Sequence, residues 1–184
     1  MELSRENSTW HNNNLHAGGG IAVGDINNDG LQDFVIISNQ KKPGLYLNKG
    51  DFKFEDISNQ SGLTKTKGWS TGVVMEDVNS DGFIDIYIGK GIYQQKDPSE
   101  RINLLYINNK DNTFTERAEE YGIASTNATI QSVFFDYDLD GDLDLYLLNQ
   151  PMDSDTFLIS DLGKMRMNTP VSYTHLTLPT SYSV

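Results

Sequence analysis

At 184 residues the chain can bury a full hydrophobic core, so its length is compatible with one ordinary domain. Its 26 Asp and Glu against 14 Lys and Arg leave a formal net charge of -12, which excludes a nucleic-acid surface, since holding phosphates needs clustered basic residues, and makes cations the natural partners. The lack of cysteine excludes disulfides, thiolate zinc sites and cysteine nucleophiles, and no apolar run approaches membrane-span length.

Residues 1–17 form a polar, Asn-rich lead-in that starts too polar for a signal peptide. His11 and His16 lie there without a ligand-spaced partner, which fits solvated loop residues better than a metal pair. Gly18-Gly19-Gly20 lacks the Lys-Ser/Thr of a phosphate-cradling loop and reads as a close-packed strand entry. A repeat begins here, and its first unit covers residues 18–66. An apolar run at Ile21-Ala-Val23 leads into Asp25–Asp33, which has the pattern D-x-[DN]-x-D-G-x-x-D. A second apolar run, Phe34-Val-Ile-Ile37, follows, then Leu45-Tyr-Leu-Asn48, Phe54 and Gly62-Leu63. The β-branched and aromatic content predicts that the Asp loop joins two strands.

The second unit, residues 67–126, repeats this order with the loop at Asp77–Asp85, then Ile86-Tyr-Ile88, Leu105-Tyr-Ile-Asn108, Phe114 and Gly122-Ile123. Its loop and its Leu-Tyr-x-Asn stretch stand farther apart than in the first unit. The extra residues fall at Gly89–Arg101, where Pro98 and several charges predict an exposed loop. Trp69, Tyr87 and Tyr106 occupy strand positions and are expected in the core rather than on a sugar-stacking platform. Tyr93, in the insertion, is the better binding candidate.

The third unit, residues 127–170, has its loop at Asp136–Asp144, followed by Leu145-Tyr-Leu-Leu148. The pattern then fades: Phe157 stands where a Tyr is expected and no Asn follows it, so the unit reads as incomplete. Residues 171–184, from Val171-Ser-Tyr-Thr-His-Leu-Thr-Leu-Pro-Thr180 to Val184, resemble the in-frame translation of a transposase adapter used in sequencing-library preparation. On that reading the tail is set aside from fold reasoning, His175 carries no function, and the natural gene is expected to continue.

Units of roughly fifty to sixty residues with about four short strands have the size of propeller blades. The expected fold is therefore all-β: a partial β-propeller of about two to three four-stranded blades with the Asp loops between strands. Closed propellers need about four to eight blades, so the chain is expected to be a piece of a larger protein. Its uncovered blade edges would invite aggregation.

Calcium takes six to eight oxygens in loose geometry, and alternate residues of a tight loop can aim their oxygens at one point. The expected ligands are Asp25, Asn27, Asp29 and Asp33 in the first loop, Asp77, Asn79, Asp81 and Asp85 in the second, and Asp136, Asp138, Asp140 and Asp144 in the third. Leu31, Phe83 and Asp142 would each contribute a backbone carbonyl. Gly30, Gly82 and Gly141 fall where the chain must turn sharply, with a positive φ. An EF-hand would carry a Glu at the twelfth position, where Ile36, Ile88 and Leu147 stand instead, so the ninth-position Asp is expected to close each site. Asp, Asn and Gly are also ordinary turn residues, but a turn needs no ninth-position Asp. About three calcium sites are expected, the four-carboxylate third loop binding most tightly, with loop order dependent on the metal.

The apolar-Gly-Asp entry, the nine-residue loop, the Leu-Tyr-x-Asn strand and the Phe-Thr-Glu116 segment leading to Tyr121-Gly-Ile123 resemble the FG-GAP/VCBS repeat family over residues 18–150. The resemblance implies a calcium-stabilised propeller like that of integrin α subunits, within an extracellular or bacterial cell-surface protein whose export signal lies outside this stretch. It implies adhesion, glycan binding or protein contact on the propeller face, and no catalysis. The competing expectation is an accessory part of an exported polysaccharide hydrolase or lyase. Against it, the metal loops absorb every dense acid cluster and leave no pair for general acid/base work.

Overall fold

The computed structural model describes residues 19–39, 41–63, 68–91, 98–150 and 173–177, and its regular structure is almost wholly strand. Strands β1 (Ile21–Gly24), β2 (Asp33–Ile36), β3 (Gly44–Asn48) and β4 (Phe54–Asp56) form an antiparallel sheet in chain order. Strands β5 (Trp69–Glu76), β6 (Asp85–Gly91), β7 (Leu104–Asn108) and β8 (Phe114–Glu116) form a second sheet of the same order. In the third sheet β10 (Asp144–Gln150) lies between β9 (Ala128–Phe135) and β11 (Tyr173–Thr177). Each sheet's first hairpin closes at the same register, Gly24 opposite Asp33, Glu76 opposite Asp85 and Phe135 opposite Asp144. The Asp loops therefore stand at one common end of the blades.

The two-residue period of the strands decides which blade each side chain meets. In β6, Ile86 and Ile88 join the core shared with the first sheet, while Tyr87 between them joins the core shared with the third. In β7, Tyr106 faces the first sheet, and Leu105 and Ile107 face the third. The middle sheet thus has two buried faces, with each fully buried aliphatic side chain stabilising it by about 1.5–3 kcal/mol. Trp69, Tyr87 and Tyr106 are buried, as their strand positions predict.

The first sheet differs on its far side. Ile21, Val23, Ile36 and Phe54 are exposed there, and Phe34 stacks on Tyr46 with ring centroids 4.8 Å apart. These positions correspond in the repeat to Val73, Met75, Ile88 and Phe114, with Ile86 and Tyr106, all of which pack against the first sheet. Neighbouring blades approach closely at Gly62, where φ is +87° and an added Cβ would sit 2.7 Å from the Phe114 carbonyl oxygen. The Phe114 amide donates to the Ser61 carbonyl at 2.8 Å beside it.

The Gly89–Arg101 insertion is not all exposed loop. Gly89, Lys90 and Gly91 are buried and extend β6 alongside β5, with Trp69 paired to Gly91 and Ser70 to Lys90. Pro98–Arg101 is a 3-10 turn, and Tyr93 lies outside the described residues. The extension is held by a polar network at the end of the blades opposite the Asp loops. Lys90 Nζ donates to Ser70 Oγ at 3.0 Å, and the Lys90 amide donates to Asn103 Oδ1 at 2.8 Å. Asn103 Nδ2 in turn reaches the Tyr87 hydroxyl and Thr129 Oγ1 of the third sheet. Charge and Pro98 point to an exposed loop, but partners from β5 and from Asn103 bury Lys90.

Strand β11 comes from the segment that resembles an adapter and pairs with β10 from Asp144–Thr177 to Leu148–Tyr173. Main-chain pairing accepts any extended segment at an open sheet edge. His11, His16 and Phe157 lie outside the described residues. Gly20 exchanges backbone hydrogen bonds with Ile37, which makes it the strand entry expected from its context.

Candidate metal loops

Each loop is shaped by its own carboxylates. Asp25 accepts from the amides of Asp29 and Gly30 at 3.1 and 2.7 Å, and Asp29 accepts from the amide of Leu31 at 2.8 Å. Asp77 and Asp81 repeat this with the amides of Asp81, Gly82 and Phe83. Asp136 and Asp140 repeat it again with Asp140, Gly141 and Asp142. Gly30, Gly82 and Gly141 have φ of +83, +84 and +95°, as the loop pattern requires. The fourth position is also left-handed, at Asn28, Ser80 and Leu139 with φ of 59, 59 and 62°.

The ninth-position acids do more than close a loop. Asp33 is fully buried, and its two oxygens accept from the amides of Ile26 at 3.0 Å and Asn48 at 2.8 Å. Asp85 does the same with Val78 at 3.1 Å and Asn108 at 2.8 Å, and Asp144 accepts from Tyr137 at 2.9 Å. Asp33 and Asp85 thereby pin the loop entry to the third strand of their own blade. Burial pushes the Asp85 carboxyl up to about 7 against the pull of its two amide donors, with Asp81 and Asp77 adding to the rise. Burial raises Asp33 in the same way, with Asp29 and Asp25 adding to it.

The loops differ at the third position. Asn27 Nδ2 donates to Asp29 Oδ2 at 3.1 Å and Asn79 Nδ2 to Asp81 Oδ2 at 3.2 Å, so an amide separates the acids. In the third loop the position is Asp138, and carboxylate oxygens of Asp136, Asp138 and Asp144 lie within 4.8 Å of one another. Among the described residues no other three acids or histidines converge so closely. Desolvation raises the Asp138 pKa, with Asp140 and Asp144 adding to it. Oxygens on opposite sides of one calcium ion stand about 5 Å apart, twice the bond length of roughly 2.3–2.6 Å, so this all-oxygen set suits that ion.

Three residues at the loops went unread in the sequence. Asn48 and Asn108, the last residues of the two Leu-Tyr-x-Asn stretches, donate through Nδ2 to Gln32 and Ile84, the eighth residues of their loops. Lys110 places its ammonium 3.3 Å from Asp81 Oδ2 and 5.0 Å from the centre of the Phe83 ring. The repetition of the Asn was the available signal.

Sheets that share cores face to face, each opening on the same acidic hairpin, are the blades of a propeller-type repeat protein. The chain belongs to the FG-GAP-like repeat family, whose sequence model matches residues 7–88 and 93–147. Over 139 residues it is 31% identical to Cartilage acidic protein 1 of Xenopus tropicalis. That stretch is 74% of this chain and 20% of the relative, so the chain spans about a fifth of that protein's length. No helix among the described residues is long and apolar enough to cross a membrane.

Proposed function

We propose that the chain is a calcium-binding set of propeller blades, a non-catalytic scaffold or binding module of an exported protein. The observation that carries this reading is the convergence of Asp136, Asp138 and Asp144 in a repeat whose first and second loops carry acids at the first, fifth and ninth positions with Asn at the third. The ligand set is the one expected from the sequence, with Asp25, Asn27, Asp29 and Asp33, then Asp77, Asn79, Asp81 and Asp85, then Asp136, Asp138, Asp140 and Asp144. The carbonyls of Leu31, Phe83 and Asp142 complete the three sites. Bound calcium supplies positive charge that offsets the mutual repulsion of the acids and fixes the hairpins. The protein's own part is to hold the oxygens in place with the amides that cap Asp25, Asp77 and Asp136.

An extracellular or cell-surface setting fits loops of this kind, because calcium modules outside cells work at dissociation constants of about 10⁻⁴–10⁻³ M. The propeller face would meet a protein or glycan ligand. Calorimetric titration of the chelator-treated full chain tests the reading: calcium heat at up to three sites, with magnesium much weaker, is expected. Lack of saturable calcium binding at millimolar concentration would overturn it.

A further inference from the structure

The first two loops are not independent. Asn108 is almost wholly buried, and its amide and both polar side-chain atoms are engaged. Its amide donates to Asp85 Oδ1, and its Nδ2 donates both to Ile84 in its own blade at 3.1 Å and to the Ile26 carbonyl in the neighbouring blade at 2.8 Å. The Ile26 amide is bonded to Asp33. A chain of hydrogen bonds therefore runs from Asp33 through Ile26 and Asn108 to Asp85, the ninth-position acids of two loops in different sheets. A second link runs from Asn28 Nδ2 to the Gly82 carbonyl at 2.9 Å. Asn48, the counterpart of Asn108, makes the same bonds to its own loop, and its Nδ2 goes to Gln32 of that loop.

We propose that Asn108 is a positioning residue that couples cation binding at the Asp25–Asp33 loop to binding at the Asp77–Asp85 loop. A cation drawing in Asp25 and Asn27 fixes the intervening Ile26, whose carbonyl orients the Asn108 side chain. Asn108 then holds Asp85 and Ile84, so the second loop has less ordering left to do when its own cation arrives. Ordering spent once serves both loops, and by linkage the effect is reciprocal. The inference rests on the calcium reading above and goes beyond it by assigning cooperativity to one asparagine.

The test uses the full chain with the third loop silenced by Asp138→Asn and Asp140→Asn, leaving two sites for calcium calorimetry. Silencing the first loop with Asp25→Asn is expected to lower calcium affinity at the second about 5-fold or more, the usual scale of coupling between sites. With Asn108→Ser in place, the same Asp25→Asn change is expected to leave the second loop's affinity unaltered. The matched Asn48→Ser weakens the first loop alone and preserves the coupling, an outcome that general loosening of the fold would not give. Asn28→Gly, which tolerates the left-handed backbone, removes the second link and is expected to reduce the coupling in part, a check that stands even if Asn108→Ser does not fold. Two sites that bind independently in the parent, or coupling that survives Asn108→Ser intact, would overturn the proposal while leaving calcium binding in place. Absence of calcium heat at both loops would remove the calcium reading and the coupling together.

Discussion

The second and third Asp loops share one backbone plan and spend their acids differently. In the second loop Asn79 bonds Asp81, Lys110 stands beside Asp81, and buried Asp85 holds amides from the loop entry and from β7. In the third loop Asp138 replaces the Asn, and three carboxylates face one point. The second loop is built to join blades; the third concentrates charge. One motif can therefore separate its acids with an amide in one copy and gather three carboxylates in the next, depending on the residue at its third position.

The largest expected effect tests the architectural half. Asp85→Ala orphans the buried amides of Val78 and Asn108, at about 1–3 kcal/mol each, for a total of about 2–6 kcal/mol. Asp138→Ala, at an exposed position, is expected to change metal-free stability by less than about 0.5 kcal/mol. Urea unfolding in chelator measures both, and equal losses would erase the distinction between the loops.

The far end of the blades provides a reference without an Asp loop. Burial lowers the Lys90 pKa from 10.5 to about 8, so between those values the unfolded chain binds more protons and stability rises with pH. Below about pH 8 the cost of burying the charge is fully present. Lys90→Met is therefore expected to stabilise the chain at pH 7 by about 2–3 kcal/mol and to gain little at pH 10.5. Because the effect lies away from the loops, calcium should not alter it; a calcium-dependent Lys90 effect would mean that the two ends of the blades are linked.

Exchanging the third-position residues comes next in size. Asp138→Asn gives the third loop the pattern of the first two, and its calcium affinity is expected to fall about tenfold, equivalent to ~1.4 kcal/mol. Asn79→Asp is expected to raise affinity at the second loop by a smaller factor, because Lys110 already offsets part of the charge on Asp81. Titrations of the two variants against the parent read both values. Third-loop affinity that is lowest in the parent would break the ranking.

The sequence was most informative where chemistry repeats with the chain. Aromatic residues at strand positions pointed Trp69, Tyr87 and Tyr106 to the core, and the sixth-position Gly predicted the left-handed turns. Local pattern could not reveal that Asp33 and Asp85 spend both oxygens on amides, because Asn48 and Asn108 donate from another strand. Nor could it show Lys90 buried, since the partners that enclose it come from β5 and from beyond the insertion. Expectations failed or fell short where a residue's role depends on register between strands rather than on its neighbours in sequence.

The smallest effect separates strain from charge in the third loop. Its fourth position must be left-handed, and Asn28 in the first loop tolerates this through a short polar side chain, whereas Leu139 is forced to φ 62° with its side chain largely in solvent. The left-handed conformation costs a residue such as Leu roughly 1–2 kcal/mol, and Asn recovers part of that. Leu139→Asn is therefore expected to raise metal-free stability by about 0.5–1 kcal/mol while leaving the carboxylates of Asp136, Asp138 and Asp144 unchanged. Because the turn is already left-handed without an ion, the relief is shared by the free and the loaded loop, and calcium affinity is expected to stay within about twofold. A calcium titration showing affinity that climbs together with stability would mean that the strain at Leu139 arises on closing around the cation, leaving repulsion among the acids only part of the loop's response.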